Sequence, residues 1–247
     1  MQTWQDKMPD YKLVLWDKNK FDTNSVAFVR EACAVKKWAF AADYIRAYAL
    51  YTEGGIYLDT DVIVRKSFAE FLKYDFFTAV EYSPNVVKKA NSLARLNADG
   101  TPKVPIDGDN ASGIALQAAI MGGRAGHPYL QDCLNWYAGK HFILPDGSYN
   151  MQPIAPAIYA NLAQKYGFRY RNDFQRLAEN MVIFPSYVLA TNRAEASPES
   201  YAVHCCNDGW RSWQYRLYLK LARNNLVRRL TGRKPLASIN DIIANKH

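Results

Sequence analysis

The sequence predicts an α/β fold in which a sheet is flanked by helices. Short apolar segments typical of strands interleave along the chain with longer segments of helical periodicity. The 247 residues are 49% hydrophobic and contain no internal repeat, which fits one principal domain with a sizeable core. No apolar run reaches the roughly 18 residues of a membrane-spanning helix.

The first part of the chain combines a weak strand pattern with two helical patterns. Residues 11–16 (Y-K-L-V-L-W) alternate weakly between polar and apolar side chains, which indicates a strand. Apolar residues at helical spacing predict helices over residues 24–35 and 36–52. The second helix is rich in alanine, and its apolar stripe includes Trp38 and Ile45.

Two glycines separate the second helix from the next strand. Glycine accepts the left-handed conformation that follows many helices, so Gly54 and Gly55 are expected to end this one. Residues 56–58 then form a short apolar strand. Further along we expect strands at residues 75–81, 181–184 and 201–205 and helices at 127–139 and 153–166. Residues 83–112 are polar throughout and predict a long loop.

The positive charge is concentrated near the end of the sequence. The net charge is +8, and residues 215–247 hold eight Lys/Arg and one Asp, or +7 of it. We therefore divide the chain into a domain over residues 1–213 and a basic helical tail over residues 214–247. The body is nearly neutral, and basic and aromatic residues do not interleave, so nucleic acid is not an expected partner.

The tail predicts a basic amphipathic helix over residues 215–230. Leu226 belongs to an apolar side, and Arg216 and Arg223 belong to a basic side. Such a helix, with the charges that follow it to residue 234, can lie on an anionic membrane surface. The ordinary alternative is a terminal helix packed on the domain.

The cysteines favour no metal site. None of the four forms C-x-x-C, and no apolar leader is visible at the start of the sequence. We therefore expect reduced thiols and a cytoplasmic protein, peripheral on the inner membrane face if the tail binds lipid.

The run G-G-I-Y-L-D-T-D-V-I places Asp59 and Asp61 at the end of a predicted strand. A turn at this point would let both carboxylates reach one cation. Carboxylates together with substrate phosphates are usual ligands of Mg²⁺ or Mn²⁺. A turn whose aspartates bond their own backbone is the alternative. Asp43 and Arg46 share a face of the preceding helix and would line the same cleft.

The run F-A-A-D-Y-I-R-A-Y-A-L-Y-T-E-G-G-I-Y-L-D-T-D-V resembles the central signature of family 32 glycosyltransferases. This family includes relatives of the yeast initiating α-1,6-mannosyltransferase and bacterial capsular and lipopolysaccharide sugar transferases. The spacing also resembles the glucosyltransferase domain of large clostridial toxins. The later blocks G-H-P-Y-L and Y-A-V-H-C-C-N-D-G-W resemble further family motifs, so the similarity spans about residues 4–213.

The resemblance implies a GT-A fold with a mostly parallel sheet that binds a sugar nucleotide at the strand ends. Asp61 would bind Mn²⁺ (or Mg²⁺) directly, and Asp59 would hold the metal through water and contact the ribose. Asp43 and Arg46 would hold the donor-sugar hydroxyls, with Arg46 also near the diphosphate. Tyr57 would contact the donor.

Three further residues complete the implied site. His204 would lie near the metal and the diphosphate, and Trp210 would donate its indole N–H to the diphosphate. Both residues have an alternative interpretation as core side chains. Asn110, in the predicted loop, is a candidate contact to the donor sugar or acceptor, although D-G-D-N is also a plain turn sequence.

The implied function is metal-dependent transfer of a hexose from a UDP- or GDP-sugar to a glycan or lipid-linked acceptor in surface polysaccharide synthesis. Family members retain the anomeric configuration, so we expect the acceptor hydroxyl to attack from the face of the leaving group. A phosphatase of the haloacid dehalogenase class also uses D-x-D, but the sequence offers no convincing set of its other motifs.

The sequence departs from the family pattern in three places. The sequence begins about twenty residues after the usual first strand, I-P-K-x-I-H-x-x-W, so either the start is assigned too late or the protein lacks this strand and binds donor poorly. Cys205 stands where the family has a second histidine, and Gly209 stands where it has a serine. The missing strand and Gly209 support an alternative, a catalytically impaired GT-A-fold binding protein.

Overall fold

The computed structural model describes residues 1–206, 213–232 and 235–244. Its helices are α1 (Gln2–Lys7), α2 (Ala27–Ala34), α3 (Trp38–Glu53), α4 (Pro84–Lys89), α5 (Pro128–Trp136), α6 (Ala155–Ala163), α7 (Trp213–Arg223), α8 (Asn225–Leu230) and α9 (Ile239–Ile243). Its strands are β1 (Gly55–Leu58), β2 (Val62–Val64), β3 (Phe76–Tyr82), β4 (Ile114–Leu116), β5 (Ile120–Gly123), β6 (Gln175–Arg176), β7 (Met181–Phe184), β8 (Leu189–Ala190) and β9 (Ala202–His204). Short 3₁₀ turns lie at Ala69–Phe71, Ser92–Arg95 and Gln164–Tyr166.

The strands form two mixed sheets. The larger has the order β1-β5-β3-β7-β6, with β4 also paired to β3, and the smaller has the order β2-β9-β8. Among the described strands of the larger sheet only β3 and β7 are parallel to each other, and in the smaller sheet only β8 and β9 are. The prediction of a mostly parallel sheet is therefore wrong, although the architecture remains compatible with a GT-A-like fold.

Strands β4 and β5 run in the same direction for a local reason. They follow one another along the same edge of β3, separated only by residues 117–119. So short a connection does not reverse the chain, and both strands are antiparallel to β3. Between the two pairings, residues 78 and 79 of β3 face residues 117–121, so the partner strand bulges outward there.

The junction between α3 and β1 follows the prediction. Gly54 has φ +68° and its N–H donates to the carbonyl of Leu50 at 2.9 Å, which closes the last turn of the helix. A Cβ at this position would lie 2.9 Å from the backbone nitrogen of Ala125, so a side chain is excluded sterically as well.

The core has two main parts, one on each face of the larger sheet. Helices α2, α3, α5 and α6 cover one face, and α1 with the smaller sheet covers the other. Strand β3 serves both because its side chains alternate: Phe76 and Val80 enter the first cluster, and Phe77 and Ala79 the second. The indole N–H of Trp4 donates to the carbonyl of Val62 at 2.8 Å and fixes α1 on β2.

The G-H-P-Y-L block has a structural role at the start of α5. The Nδ1 of His127 accepts a hydrogen bond from the backbone N–H of Tyr129 at 3.2 Å and caps the helix. The Nε2–H of the same ring donates to the carbonyl of Glu179 at 3.0 Å. Pro128 begins the helix, where its missing N–H is not needed.

The structure corrects several details of the first half. Residues 11–16 form no strand, because no described strand pairs with them, and Leu13, Val14 and Leu15 are exposed. Trp38 is 61% exposed at the start of α3 and lies outside the buried stripe. The predicted loop 83–112 contains α4 and the 3₁₀ turn at Ser92–Arg95.

The tail differs from a single helix. The predicted helix 215–230 is divided at Asn224, whose side chain accepts hydrogen bonds from Leu226 and Val227 and begins α8. In α9, Ile242 is fully buried beside Ile63 and Val203 of the smaller sheet. None of the described helices is long and apolar enough to cross a membrane.

Candidate functional site

The D-T-D segment forms a turn that carries the chain from one sheet to the other. Strand β1 pairs with β5 in the larger sheet, and β2 pairs with β9 in the smaller one. The N–H of Asp59 donates to the carbonyl of Ala119 at 2.9 Å, and the N–H of Val62 donates to the carbonyl of Asp59 at 3.0 Å. The carbonyl of Asp61 accepts from the N–H of Cys205 at 3.0 Å. Both ends of the turn are therefore anchored.

This turn brings Asp59 and Asp61 to the same place as His204. The register pairs Val62 with His204, so the imidazole at the end of β9 lies beside the turn. Its Nε2 is 3.2 Å from a carboxylate oxygen of Asp61 and 4.0 Å from one of Asp59. Ligand atoms from all three residues lie within 4.8 Å of one another. We call these residues the acidic cluster.

Cys206 contacts the imidazole of His204 on the side away from Asp61, and sequence reasoning missed this contact. Its Sγ lies 3.4 Å from Nδ1 of His204 and donates to the carbonyl of Thr191 at 2.9 Å. Burial opposes protonation of His204, but the hydrogen bonds to Asp61 and Cys206 outweigh it and raise the pKa to about 10. The only available signal was the adjacent C-C pair after the histidine.

Arg46 is buried at the centre of the neighbouring polar network, and its side chain is only 7% exposed. Its NH2 group lies 3.0 Å from Asp43 and 3.7 Å from Asp59. Its NH1 group donates to the carbonyl of Ala118 at 2.7 Å. The guanidinium lies 5.1 Å from the ring centre of Tyr57, whose hydroxyl donates to Asp59 at 2.5 Å.

The ionisable groups around Arg46 shift one another's pKa values. Burial disfavours the Arg46 cation, but Asp59, Tyr57 and Asp43 outweigh this and raise its pKa. Burial raises the pKa of Asp43 to about 7, Arg46 opposes the shift, and Asp59 adds to it. Burial likewise raises the pKa of Tyr57, so its hydroxyl stays protonated as a donor to Asp59. Perturbed groups of this kind concentrate at functional sites.

Helix α6 contributes a second support that the sequence did not reveal. The hydroxyl of Tyr159 donates to the backbone carbonyl of Asp43 at 2.6 Å, which holds the middle of α3 from the other side. Nothing in the apolar run around Tyr159 distinguishes it from a core residue, and it is also buried.

Two predicted site residues are not joined to the cluster by the described contacts. Asn110 is buried, and its amide bonds Ile106 and Asn161 at 2.9 Å, so it stabilises its own loop. None of its hydrogen bonds within the described residues reaches the acidic cluster. Trp210 lies outside the described residues, as does Gly209, and their roles stay predictions.

The donor set of the acidic cluster fits a divalent cation. Two carboxylates and an imidazole suit Mn²⁺ or Mg²⁺, with water and phosphate oxygens completing the shell. Ligands at about 2.1 Å from one octahedral ion lie about 3 Å apart, and Nε2 of His204 is 3.2 Å from Asp61. Asp59, Asp61 and His204 could therefore hold one ion with little movement, and His204 would lose its Nε2 proton on binding it, because only a neutral imidazole nitrogen binds a metal.

Comparison with known proteins agrees with this chemistry. The family model described as "glycosyltransferase sugar-binding region containing DXD motif" matches residues 1–78. The matched part includes Asp43, Arg46, Asp59 and Asp61 but ends before His204. Comparison with curated proteins returns no match. The family match supports a glycosyltransferase with a nucleotide-sugar donor and an acceptor, and it does not specify family 32.

The buried position of Arg46 predicts a large effect on stability. Arg46→Ala leaves Asp43 and Asp59 without their cation, and breaking a buried charge pair costs about 3–5 kcal/mol of unfolding free energy. The matched control is Arg124→Ala, because Arg124 is 64% exposed and pairs with Asp75 at 3.6 Å. Such surface pairs contribute about 0–1 kcal/mol. Urea unfolding measures both, and equal losses would contradict the central role of Arg46.

Proposed function

We propose that this protein is a metal-dependent, retaining glycosyltransferase that moves a hexose from a UDP- or GDP-sugar to a glycan or lipid-linked acceptor in surface polysaccharide synthesis. The observation that carries the proposal is the convergence of Asp59, Asp61 and His204 within 4.8 Å, beside the buried Asp43–Arg46 pair. The family match over residues 1–78 supports the same class of reaction.

The residues of the site divide into two groups. Asp59, Asp61 and His204 would hold Mn²⁺ or Mg²⁺, which neutralises the charge of a departing diphosphate. Asp43 and Arg46 would hold the sugar hydroxyls, with the Arg46 charge directed toward the leaving group. Tyr57 keeps Asp59 oriented through its 2.5 Å hydrogen bond and would border the donor. We place Trp210 against the diphosphate on the family resemblance, and Asn110 beside the donor sugar or acceptor on its loop sequence.

The hydrogen bonds and ion pairs of the site carboxylates support a front-face reaction, because a carboxylate held in this way is a poor nucleophile for a covalent intermediate. Asp43 pairs with Arg46, Asp59 accepts from Tyr57, and Asp61 bonds His204. We therefore propose that the acceptor hydroxyl attacks the anomeric carbon on the face from which the phosphate oxygen leaves. The C–O bond to phosphate breaks as the new glycosidic bond forms, and the hydroxyl proton passes to the departing phosphate.

The stereochemical outcome tests this mechanism. We expect the product to keep the anomeric configuration of the donor, which the coupling constant of the anomeric proton reports in an NMR spectrum of the reaction. An inverted product would contradict front-face attack while leaving the glycosyltransferase class intact.

Metal-linked donor binding is the first test of the function. We expect UDP or GDP to raise the melting temperature only with Mn²⁺, since a ligand at a hundred times its Kd stabilises the native state by about 2.7 kcal/mol. Asp61→Ala and His204→Ala should abolish this shift. Asp99→Ala is the matched control, because this carboxylate is 60% exposed and pairs with Arg169 outside the cluster.

The outcomes of that experiment separate the candidates. A shift in Asp61→Ala equal to that of wild type would contradict the assignment of the acidic cluster. No shift with any nucleotide would favour the catalytically impaired binding protein.

The basic tail supports a peripheral position on an anionic membrane. Exposed apolar side chains follow α7 and α8 together with basic ones, namely Leu217, Tyr218, Leu221, Leu226, Leu230, Lys220 and Arg229. Apolar contact and attraction to anionic lipid add in such segments. We therefore propose that the protein acts at the cytoplasmic face of a membrane, where a lipid-linked acceptor would be found.

Vesicle flotation tests the tail. We expect binding to phosphatidylglycerol vesicles, none to phosphatidylcholine vesicles, and loss of binding in Leu221→Asp/Leu226→Asp. The control Leu93→Asp alters a leucine that is 62% exposed in another part of the chain and should float like wild type. Retention on DNA without flotation would replace the membrane with nucleic acid as partner.

A further inference from the structure

A cleft of about 410 Å³ lies between α3 and α5, and nothing in the proposed reaction uses it. Its volume falls within the roughly 300–1,000 Å³ that ligand sites usually have. Leu134 of α5 and Tyr137, which follows the helix, are buried and lie at its base, while Asn135 and Thr52 are exposed at its margin. The cleft is therefore both enclosed below and open to solvent above.

Three tyrosines from α3 line one wall of this cleft. Tyr44, Tyr48 and Tyr51 are four and three residues apart, so they share one face of the helix. Asp43 and Arg46 share a different face of the same helix, because successive side chains are turned by about 100°. The cleft and the acidic site are consequently served by separate faces of α3.

The tyrosine rings are held in place by other aromatic rings. Tyr44 stacks on Tyr48 with ring centres 6.2 Å apart and meets Tyr137 edge-on at 5.6 Å. Tyr48 also meets Phe21 and Trp16 edge-on, at 5.1 and 6.0 Å. A ligand would thus meet a preformed aromatic wall with little loss of side-chain entropy on binding.

The tyrosine and amide groups of the cleft are neutral and available for new hydrogen bonds. The hydroxyls of Tyr44, Tyr48 and Tyr51 make no hydrogen bond to any residue that the structure describes. The amide of Gln131 donates to Asn135 at 2.9 Å, which leaves its own oxygen and the Asn135 NH₂ group to a ligand. Among the described residues that line the cleft there is no aspartate or glutamate, and the one lysine, Lys140, lies 3.8 Å from the ring centre of Trp136.

We propose that this cleft binds a neutral hexose ring of the acceptor glycan, as a second carbohydrate site outside the acidic cluster. A sugar ring presents C–H groups that pack on aromatic faces and hydroxyls that bond amides and phenols. The tyrosine rings and the amide groups of the cleft match these two kinds of contact. A wholly apolar ligand would desolvate these polar groups without replacing their hydrogen bonds. A phosphate would find no cation free of other contacts among the lining residues.

The proposal rests on the proposed glycosyltransferase function only for the source of the sugar. Tyr137 connects the two regions, since it lies at the base of the cleft and close to Asp43. Burial raises the pKa of Tyr137, and the nearby Asp43 carboxylate raises it further. A glycan held here would keep the rest of its chain close to the donor site and raise its local concentration.

Saturation-transfer NMR without nucleotide or metal tests the cleft directly. The probes are mannotriose, maltotriose and cellotriose, with trigalacturonate as an anionic comparison. We expect wild type to bind at least one neutral trisaccharide and not trigalacturonate. Tyr48→Ala should weaken binding about tenfold through loss of an aromatic face. Asn135→Ala, at an exposed position, should also weaken it without affecting folding.

Two controls separate this site from the acidic cluster and from general damage. Tyr74→Ala removes a half-buried tyrosine that packs on Phe184, outside the cleft, and should bind like wild type. Asp61→Ala should also keep saccharide binding. Absence of binding by all three neutral trisaccharides, or loss in Asp61→Ala with retention in both cleft variants, would overturn the proposal. A protein without transferase activity can still pass this test, so the two proposals fail independently.

Discussion

The buried guanidinium of Arg46 is the interaction on which the arrangement of the site depends. An unpaired buried cation would be strongly destabilising, so its surroundings must supply acceptors on several sides. Asp43 on the same helix, Asp59 after β1 and the Ala118 carbonyl do so. Each acceptor comes from a different element. The charge therefore holds α3, the end of β1 and the β4–β5 connection in fixed relative positions.

The interruption between β4 and β5 makes this arrangement possible. A continuous strand points its carbonyls alternately toward its two sides, whereas the bulge at residues 117–119 lets two consecutive carbonyls bond groups outside β3. The carbonyl of Ala118 accepts from Arg46, and that of Ala119 accepts from the N–H of Asp59. Thr78 stabilises the bulge because its hydroxyl lies within hydrogen-bond distance of the carbonyls of Gln117 and Ile120. An irregularity in one strand thus positions both the cation and the acidic turn.

Local patterns in the sequence predict the parts of this site that lie close together along the chain. The α3–Gly54–β1 order, the turn at Asp59–Asp61 and the shared face of Asp43 and Arg46 all follow from spacing over about twenty residues. The placement of His204 came from the family resemblance, because its distance in sequence leaves no local signal. The bulge escaped prediction because β4 and β5 have three and four residues, too few for a period-two pattern. The strand predicted at residues 11–16 is wrong although its pattern is visible, because alternation cannot show whether a partner strand is available.

Helix α3 borders both the acidic cluster and the cleft lined by its tyrosines. The contacts of Arg46 on one face and the bond from Tyr159 to the Asp43 carbonyl fix the rotation of the helix about its axis. Because the helix cannot rotate, the tyrosine face is fixed with it, and the ring contacts of Tyr44 with Tyr137 follow. A ligand pressing on these rings would act on a rigid element whose opposite contacts include Asp59 of the acidic turn. The shared helix therefore holds the cleft and the acidic turn in one fixed arrangement.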